Sequence, residues 1–193
     1  DGEIIAVEFF EREQRALTAD NTGVIKLWDA DPRGETFGTE VLSYQFKEPI
    51  KSFRIMPDGQ SVLVGLVDGT INRWDIDSED ITPFEESHDA QVNAIEISDD
   101  GEIALSASDD DRVGVWDIET GTLLTWLEGH TNNALSVAIN EDATEALSGG
   151  QDNSFIVWNL ETYTQKYIIQ GHESGVSDVA FGPKPPSSTP GKH

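Results

Sequence analysis

Three histidines stand at equal intervals in this sequence: His88, His130 and His172, each 42 residues after the last. Imidazole suits proton transfer and metal ligation better than any other side chain. Equal spacing argues against both uses here, because it marks a repeat in which each ring does the same structural task. Carboxylates offer two more candidates. Asp29-Ala30-Asp31-Pro32-Arg33-Gly34 with Glu40 imitates a calcium loop, with Gly at position six and Glu at position twelve. Arg33 at a ligand position, Pro32 beside it and the lack of flanking helical patterns count against calcium. Asp109-Asp110-Asp111 has the residue types of an ion site but the setting of a tight turn between strands. Asp75, Asp77, Glu79 and Asp80 read as a solvated loop. His172-Glu173-Ser174 has acid–base residue types without a nucleophile-elbow pattern. No catalytic residue, metal site or cofactor is expected.

The chain around these residues is 193 residues long, with 37 acidic and 12 basic side chains, a net charge of −25 and no cysteine. Without cysteine there are no disulfides, thiolate metal sites or cysteine nucleophiles. The acidity argues against nucleic-acid backbones and anionic membranes as partners, since both need clustered Lys and Arg. Residues 113–165 contain neither. The chain is not a disordered acidic tail, because 37% of it is hydrophobic and five residues are Trp. No apolar run approaches the roughly 18–20 residues of a membrane span, and no signal peptide is legible. A soluble protein is expected, in the cytoplasm or outside it.

Equal spacing extends well beyond histidine. Trp28, Trp74, Trp116 and Trp158 are separated by 46, 42 and 42 residues, three of them followed by Asp. An apolar series at relative positions 0, +3 and +5 runs Ile4/Val7/Phe9, Ile50/Phe53/Ile55, Val92/Ile95/Ile97, Ala134/Val137/Ile139 and Val176/Val179/Phe181. Runs such as Val24–Trp28 and Phe155–Trp158 have strand composition, and Pro57-Asp58-Gly59, Asp68-Gly69 and Asp99-Asp100-Gly101 have turn composition. The step from +3 to +5 fits strand alternation, whereas the step from 0 to +3 predicts a bulge near the strand start. In the third unit the strands are expected near 91–97, 102–107, 112–117 and 122–127. Essentially no helix is predicted. Four-stranded sheets of this size must stack to bury their faces.

A period of 42 with Gly-His early and Trp-Asp late resembles the WD40-repeat family of β-propellers, over residues 1 to about 182. The resemblance implies an all-β propeller of four-stranded antiparallel blades. It also implies a buried His–Ser/Thr–Asp–Trp tetrad in each blade. His88, Ser106, Asp110 and Trp116 match it in the third unit, and His130, Ser148, Asp152 and Trp158 in the fourth. Such a set is self-consistent: the indole N–H needs an acceptor, the hydroxyl can donate to one imidazole nitrogen, and the other nitrogen can donate to the carboxylate. Two units depart from it. The first has Thr18 and Trp28, but Thr22 stands at the Asp position. The second has Asp68 and Trp74, but Val64 replaces Ser and Phe46 stands at the His position. These two are expected to rely on apolar packing. His172 opens a fifth unit. Trp126, outside the Trp-Asp series, is expected to pack against a neighbouring blade.

The blades are expected at 1–46, 47–86, 87–128 and 129–170, followed by an orphan strand at 175–182 and a Pro/Ser-rich tail or truncated loop at 183–193. Counting 28 residues back from Trp28 lands one position before Asp1, so a fragment of a larger propeller is expected. The resemblance further implies a non-enzymatic scaffold that presents loops to a protein or peptide, and the charge suggests a basic partner or simple solubility. Partner-binding positions carry over as Glu3, Ile5 and Asn21; Pro49, Lys51 and Val67; Gln91, Asn93 and Asp109; Asn133, Leu135 and Gln151; and Gly175 and Ser177. Two alternatives stand beside this reading. One is a half-propeller that closes a ring with a second chain, a homodimer; the other is a propeller enzyme or small-ligand binder. The family resemblance tips towards bacterial members through Ala-Leu-Ser-Ala-Ser and Ala-Leu-Ser-Gly-Gly.

Overall fold

The computed structural model describes residues 2–10 and 14–182. They form sixteen strands in four separate four-stranded sheets, each an antiparallel meander in sequence order. The first holds β1 (Ile4–Phe10), β2 (Arg15–Asp20), β3 (Val24–Asp29) and β4 (Glu40–Gln45). The second holds β5 (Ile50–Ile55), β6 (Ser61–Leu66), β7 (Ile71–Asp75) and the short β8 (Ile81–Pro83). The third holds β9 (Val92–Ile97), β10 (Ile103–Ser108), β11 (Arg112–Asp117) and β12 (Thr122–Glu128). The fourth holds β13 (Ala134–Ile139), β14 (Glu145–Gly150), β15 (Ser154–Asn159) and β16 (Thr164–Gln170). The described residues contain no helix.

The apolar series explains the inner strands β1, β5, β9 and β13. Its irregular first step is a break in register: between Ile4 and Ala6, between Ile50 and Ser52, between Ala134 and Ser136, and opposite Val92. The bulge lets the first residue and the one three further on share a face, which strict alternation forbids. The interval of 46 has a visible source. Ten residues join β3 to β4, against four between β11 and β12 and four between β15 and β16.

Sheets stack face to face. Leu17, Ile25 and Leu27 of the first pack on Phe53, Val64 and Trp74 of the second. Leu63 and Ile71, on the other face of the second sheet, pack on Ile95, Ala104 and Trp116. Leu105, Val113 and Val115 of the third pack on Val137, Ile156 and Trp158. The central strands are therefore apolar on both faces, and β6 is buried along its whole length. The inner strands lie next to one another, β1 by β5, β5 by β9 and β9 by β13. Arg54 on β5 ties three of them together. Its guanidinium lies 2.8 Å from Glu8 Oε1 on β1 and 3.1 Å from Glu96 Oε2 on β9. Glu8 also accepts the Ile55 backbone N–H at 2.8 Å, yet burial leaves its carboxyl titrating above the ordinary value.

The segment expected as an orphan strand is not a strand: residues 175–182 have no ladder. They nevertheless lie along the fourth sheet. The Val176 N–H donates to Gly150 O at 2.9 Å, and Phe181 lies beside Ile139 and Asn140. A strand is defined by its paired neighbour, and among the described residues this segment has no second strand with which to exchange bonds. The expected tail at 183–193 lies outside the described residues.

Candidate functional site

In the third sheet the turn before β9 delivers His88, the middle of β10 delivers Ser106, the β10–β11 turn delivers Asp110, and β11 delivers Trp116. Trp116 Nε1 donates to Ser106 Oγ at 2.7 Å, and His88 Nε2 lies 2.6 Å from the same hydroxyl. His88 Nδ1 lies 2.8 Å from Asp110 Oδ2. Because the hydroxyl accepts from the indole, its own proton goes to Nε2, which assigns the ring proton to Nδ1. Burial alone would raise the Asp110 carboxyl; hydrogen bonds from His88 and Arg112 outweigh it and hold the group far below the usual carboxylate range. Gly114, opposite Ser106, leaves room for this chain: a Cβ there would stand 2.5 Å from Trp116 Nε1. Arg112 also pairs with Asp89 at 2.6 Å and lies 4.3 Å above the Trp126 ring. Trp126 in turn stands edge-on to His88, with centroids 4.6 Å apart. It thus shields the imidazole of its own sheet.

The fourth sheet repeats the arrangement. Trp158 Nε1 donates to Ser148 Oγ at 2.8 Å, His130 Nε2 lies 2.7 Å from that hydroxyl, and His130 Nδ1 lies 3.1 Å from Asp152 Oδ2. Asp152 is likewise held below its ordinary value, hydrogen bonds from Ser154, Thr131 and His130 overcoming burial.

The other two sheets differ from each other. In the second, the Trp74 indole N–H is buried with no hydrogen-bond partner. Val64 and Phe46 fill the space of the hydroxyl and imidazole, and Tyr44 lies 4.9 Å from Phe46 and 6.3 Å from Trp74, centroid to centroid. Asp68 keeps only local tasks, accepting the Thr70 N–H at 3.1 Å and the Thr70 hydroxyl at 2.7 Å. In the first sheet, Trp28 Nε1 donates to Thr18 Oγ1 at 2.8 Å. Thr22 does not act as the acid; Asp20 does. Its Oδ1 accepts the Val24 N–H at 3.1 Å. Asp110, Asp152 and Asp68 accept the equivalent amides of Arg112, Ser154 and Thr70 at the same distance. Asp20 arrives two residues early, and no repeat spacing points to it. His172, alone in its unit, is exposed.

The partner-binding positions assemble in a regular way. At one end of each sheet the residue after β2, β6, β10 or β14 donates its backbone N–H to the residue before the inner strand. The pairs are Asn21 to Glu3 at 3.0 Å, Val67 to Pro49 at 3.0 Å, Asp109 to Gln91 at 3.1 Å and Gln151 to Asn133 at 2.8 Å. Asn21, Lys51, Gln151 and Ser177 are exposed, and Ile5 and Val67 present apolar surface at 38% and 39% exposure. The third sheet differs, because its three positions bind one another. Gln91 and Asn93 donate to the two oxygens of Asp109, both at 2.7 Å, and Asn93 reaches across to Ala134 O at 2.8 Å. Leu135 is half-buried near Gly175.

The remaining carboxylate candidates do not converge. Asp109 faces amides, Asp110 faces His88 and Arg112, and Asp111 takes a left-handed turn conformation at φ 68°. Asp29 accepts the Asp31 N–H at 2.9 Å and the Thr36 hydroxyl, which closes its loop on itself. Among the described residues no three carboxylates or imidazoles are grouped to hold a metal.

The family model of the WD domain, G-beta repeat, matches residues 81–117 and 121–159. No curated protein matches the chain. Each matched segment begins at an outer strand, β8 or β12, and runs through three strands of the following sheet. Each encloses one entire tetrad, so the repeat and the sheet are offset by one strand. The chain carries WD40 repeats at 81–117 and 121–159, and its four antiparallel four-stranded sheets are consistent with a segment of a WD40 β-propeller, a protein-interaction scaffold kind of fold.

Proposed function

We propose that the chain is a non-enzymatic platform that docks a protein or peptide, basic in character, on the rim where its four repeated backbone pairs lie. Those pairs carry the reading. Each fixes two loop ends to a rigid sheet, so the rim positions are held before a partner arrives and lose little freedom on binding. Ile5 and Val67 supply apolar anchors, Gln91, Asn93 and Asp109 supply a fixed polar group, and Lys51 and Gln151 supply adaptable contacts. A charge of −25 favours a basic partner through faster encounter, an effect that salt weakens.

Photo-crosslinking side chains placed at Val67 and Gln151 on the rim, and at Thr162 in the β15–β16 turn, test this. The rim positions should capture the same partner in a salt-dependent manner, and Thr162 should capture little. Adducts from Thr162 alone would place binding elsewhere and overturn the reading.

A further inference from the structure

Every side-chain N–H of the Gln91–Asn93–Asp109 cluster is committed within the molecule. Gln91 Nε2 donates to Asp109 Oδ2 at 2.7 Å and to Asn93 Oδ1 at 3.2 Å. Asn93 Nδ2 donates to Asp109 Oδ1 at 2.7 Å and to Ala134 O at 2.8 Å. A side-chain amide has two N–H groups, so all four are in use. Neither amide can be turned over, because an ionised carboxylate and a backbone carbonyl only accept, and oxygen would then face oxygen. What remains is acceptor capacity. Each Asp109 oxygen has accepted one of these bonds and keeps a further lone pair. Gln91 Oε1 has no partner among the described residues and is not among their buried unpaired atoms, so it meets solvent.

The cluster lies inside the array. The second and fourth sheets pack on the two faces of the third, and Asn93 is tied to the fourth through Ala134. Its open acceptors therefore do not depend on what lies beyond either end of the chain. Asp109 is one of three charged residues among the rim positions, with Glu3 and Lys51. Arg112, the nearest cation in sequence, is taken by Asp110 and Asp89, and Asp109 has no ion pair among the described residues. In the sheets on either side, Val67 stands in the register position of Asp109 and Leu135 in that of Asn93, and both are apolar.

We infer that this cluster receives one cationic side chain of the docked protein, a lysine ammonium or an arginine guanidinium, through its N–H donors. The inference rests on the docking function proposed above and names the chemical group that the third sheet recognises. A patch that only accepts selects by donors as well as by charge. A carboxylate meets a like charge and no N–H. A quaternary ammonium brings charge without a donor. A protonated amine or guanidinium brings both, and its bonds to Asp109 are charge-assisted. Two amides already hold the Asp109 carboxylate, so binding orders little on this side. The aliphatic stem of the incoming side chain lies against Val67 or Leu135. One carboxylate is too little charge for a calcium site, which takes six to eight oxygens.

NMR titration of the isotope-labelled full chain with a blocked alanine–lysine–alanine tripeptide tests the inference, read at the side-chain amide signals of Gln91 and Asn93. Both signals should shift and saturate at millimolar peptide. A second arm replaces lysine by arginine; saturation in either arm supports the inference and identifies the cation. A third arm uses trimethyl-lysine, which keeps the charge and loses every N–H, and should bind at least about tenfold more weakly. Asp109→Asn should weaken the lysine or arginine peptide by about tenfold. Its backbone bond to Gln91 O is untouched, so the rim keeps its shape. Glu119→Gln removes the same charge in the β11–β12 turn and should leave the affinity within about twofold. No saturable shift with either cation, equal binding of trimethyl-lysine, equal losses in the two variants, or tighter binding of calcium chloride than of the peptides overturns the inference. A rim that captures its partner through Val67 and Gln151 while the peptides leave Gln91 and Asn93 unmoved would keep the docking function and remove only the cation site.

Discussion

The second and third sheets bury the same indole in the same place by different means. Trp74 and Trp116 are both fully buried. Trp116 sits at the end of a chain of hydrogen bonds that runs through Ser106 and His88 to Asp110. Trp74 sits among Val64, Phe46 and Tyr44 with its N–H unpaired. The polar version fixes the position of each member by bond direction, and it fails if one member is lost. The apolar version accepts one unsatisfied donor and gains buried carbon instead. One fold therefore holds both solutions, and what the repeat requires is the volume and position of the indole rather than the network behind it.

Four substitutions sharpen this contrast. Asp110→Ala should have the largest effect, about 3 kcal/mol, because it strips His88, Arg112 and the Asp89 amide of their common acceptor. The pH dependence carries the same signature. Asp110 and Asp152 titrate below their ordinary value in the folded state. Their stabilisation is thus complete above the unfolded carboxyl pKa of about 4 and is lost as pH falls below it. Asp110→Asn should flatten the acid limb of a stability–pH curve measured by chemical unfolding; an unchanged limb would dissociate Asp110 from it. Ser106→Ala should cost about 1–3 kcal/mol, leaving the Trp116 indole and His88 short of a partner. An unchanged unfolding midpoint would remove the network from the account of stability. Val64→Thr should change stability least, by under about 1 kcal/mol, since the added hydroxyl can accept from Trp74 while the shape is kept. A loss of several kcal/mol would mean that the second sheet is committed to its apolar solution.

Much of this was legible in the sequence for a physical reason. A repeat writes each structural demand several times, so Trp, His and the apolar series reveal themselves by interval alone. The bulge of the inner strands was legible too, since a step of three within an alternating strand has no other simple cause. Strand pairs in the third sheet fall within one residue of expectation. What escaped was whatever occurs once. Asp20 reaches the tetrad position from two residues away, because a carboxylate has only to present an oxygen to the Val24 amide, and several turn paths allow that. The mutual binding of Gln91, Asn93 and Asp109 escaped because no other unit has two amides and a carboxylate at these three positions. The segment 175–182 carries the right pattern, but a pattern describes one side of a strand pair.

Arg54 has a consequence for how the array comes apart. Repeat proteins are commonly described by the intrinsic stability of each unit and a coupling between immediate neighbours. Arg54 puts two such couplings on one side chain, to Glu8 of the sheet before it and to Glu96 of the sheet after it. The first three sheets therefore share one guanidinium. The fourth has Ala138 at this position and lies outside it. Amide exchange under mild denaturant should then see β13 to β16 open first, with β1 to β12 opening as one cooperative block, and the boundary between them is drawn by a single guanidinium.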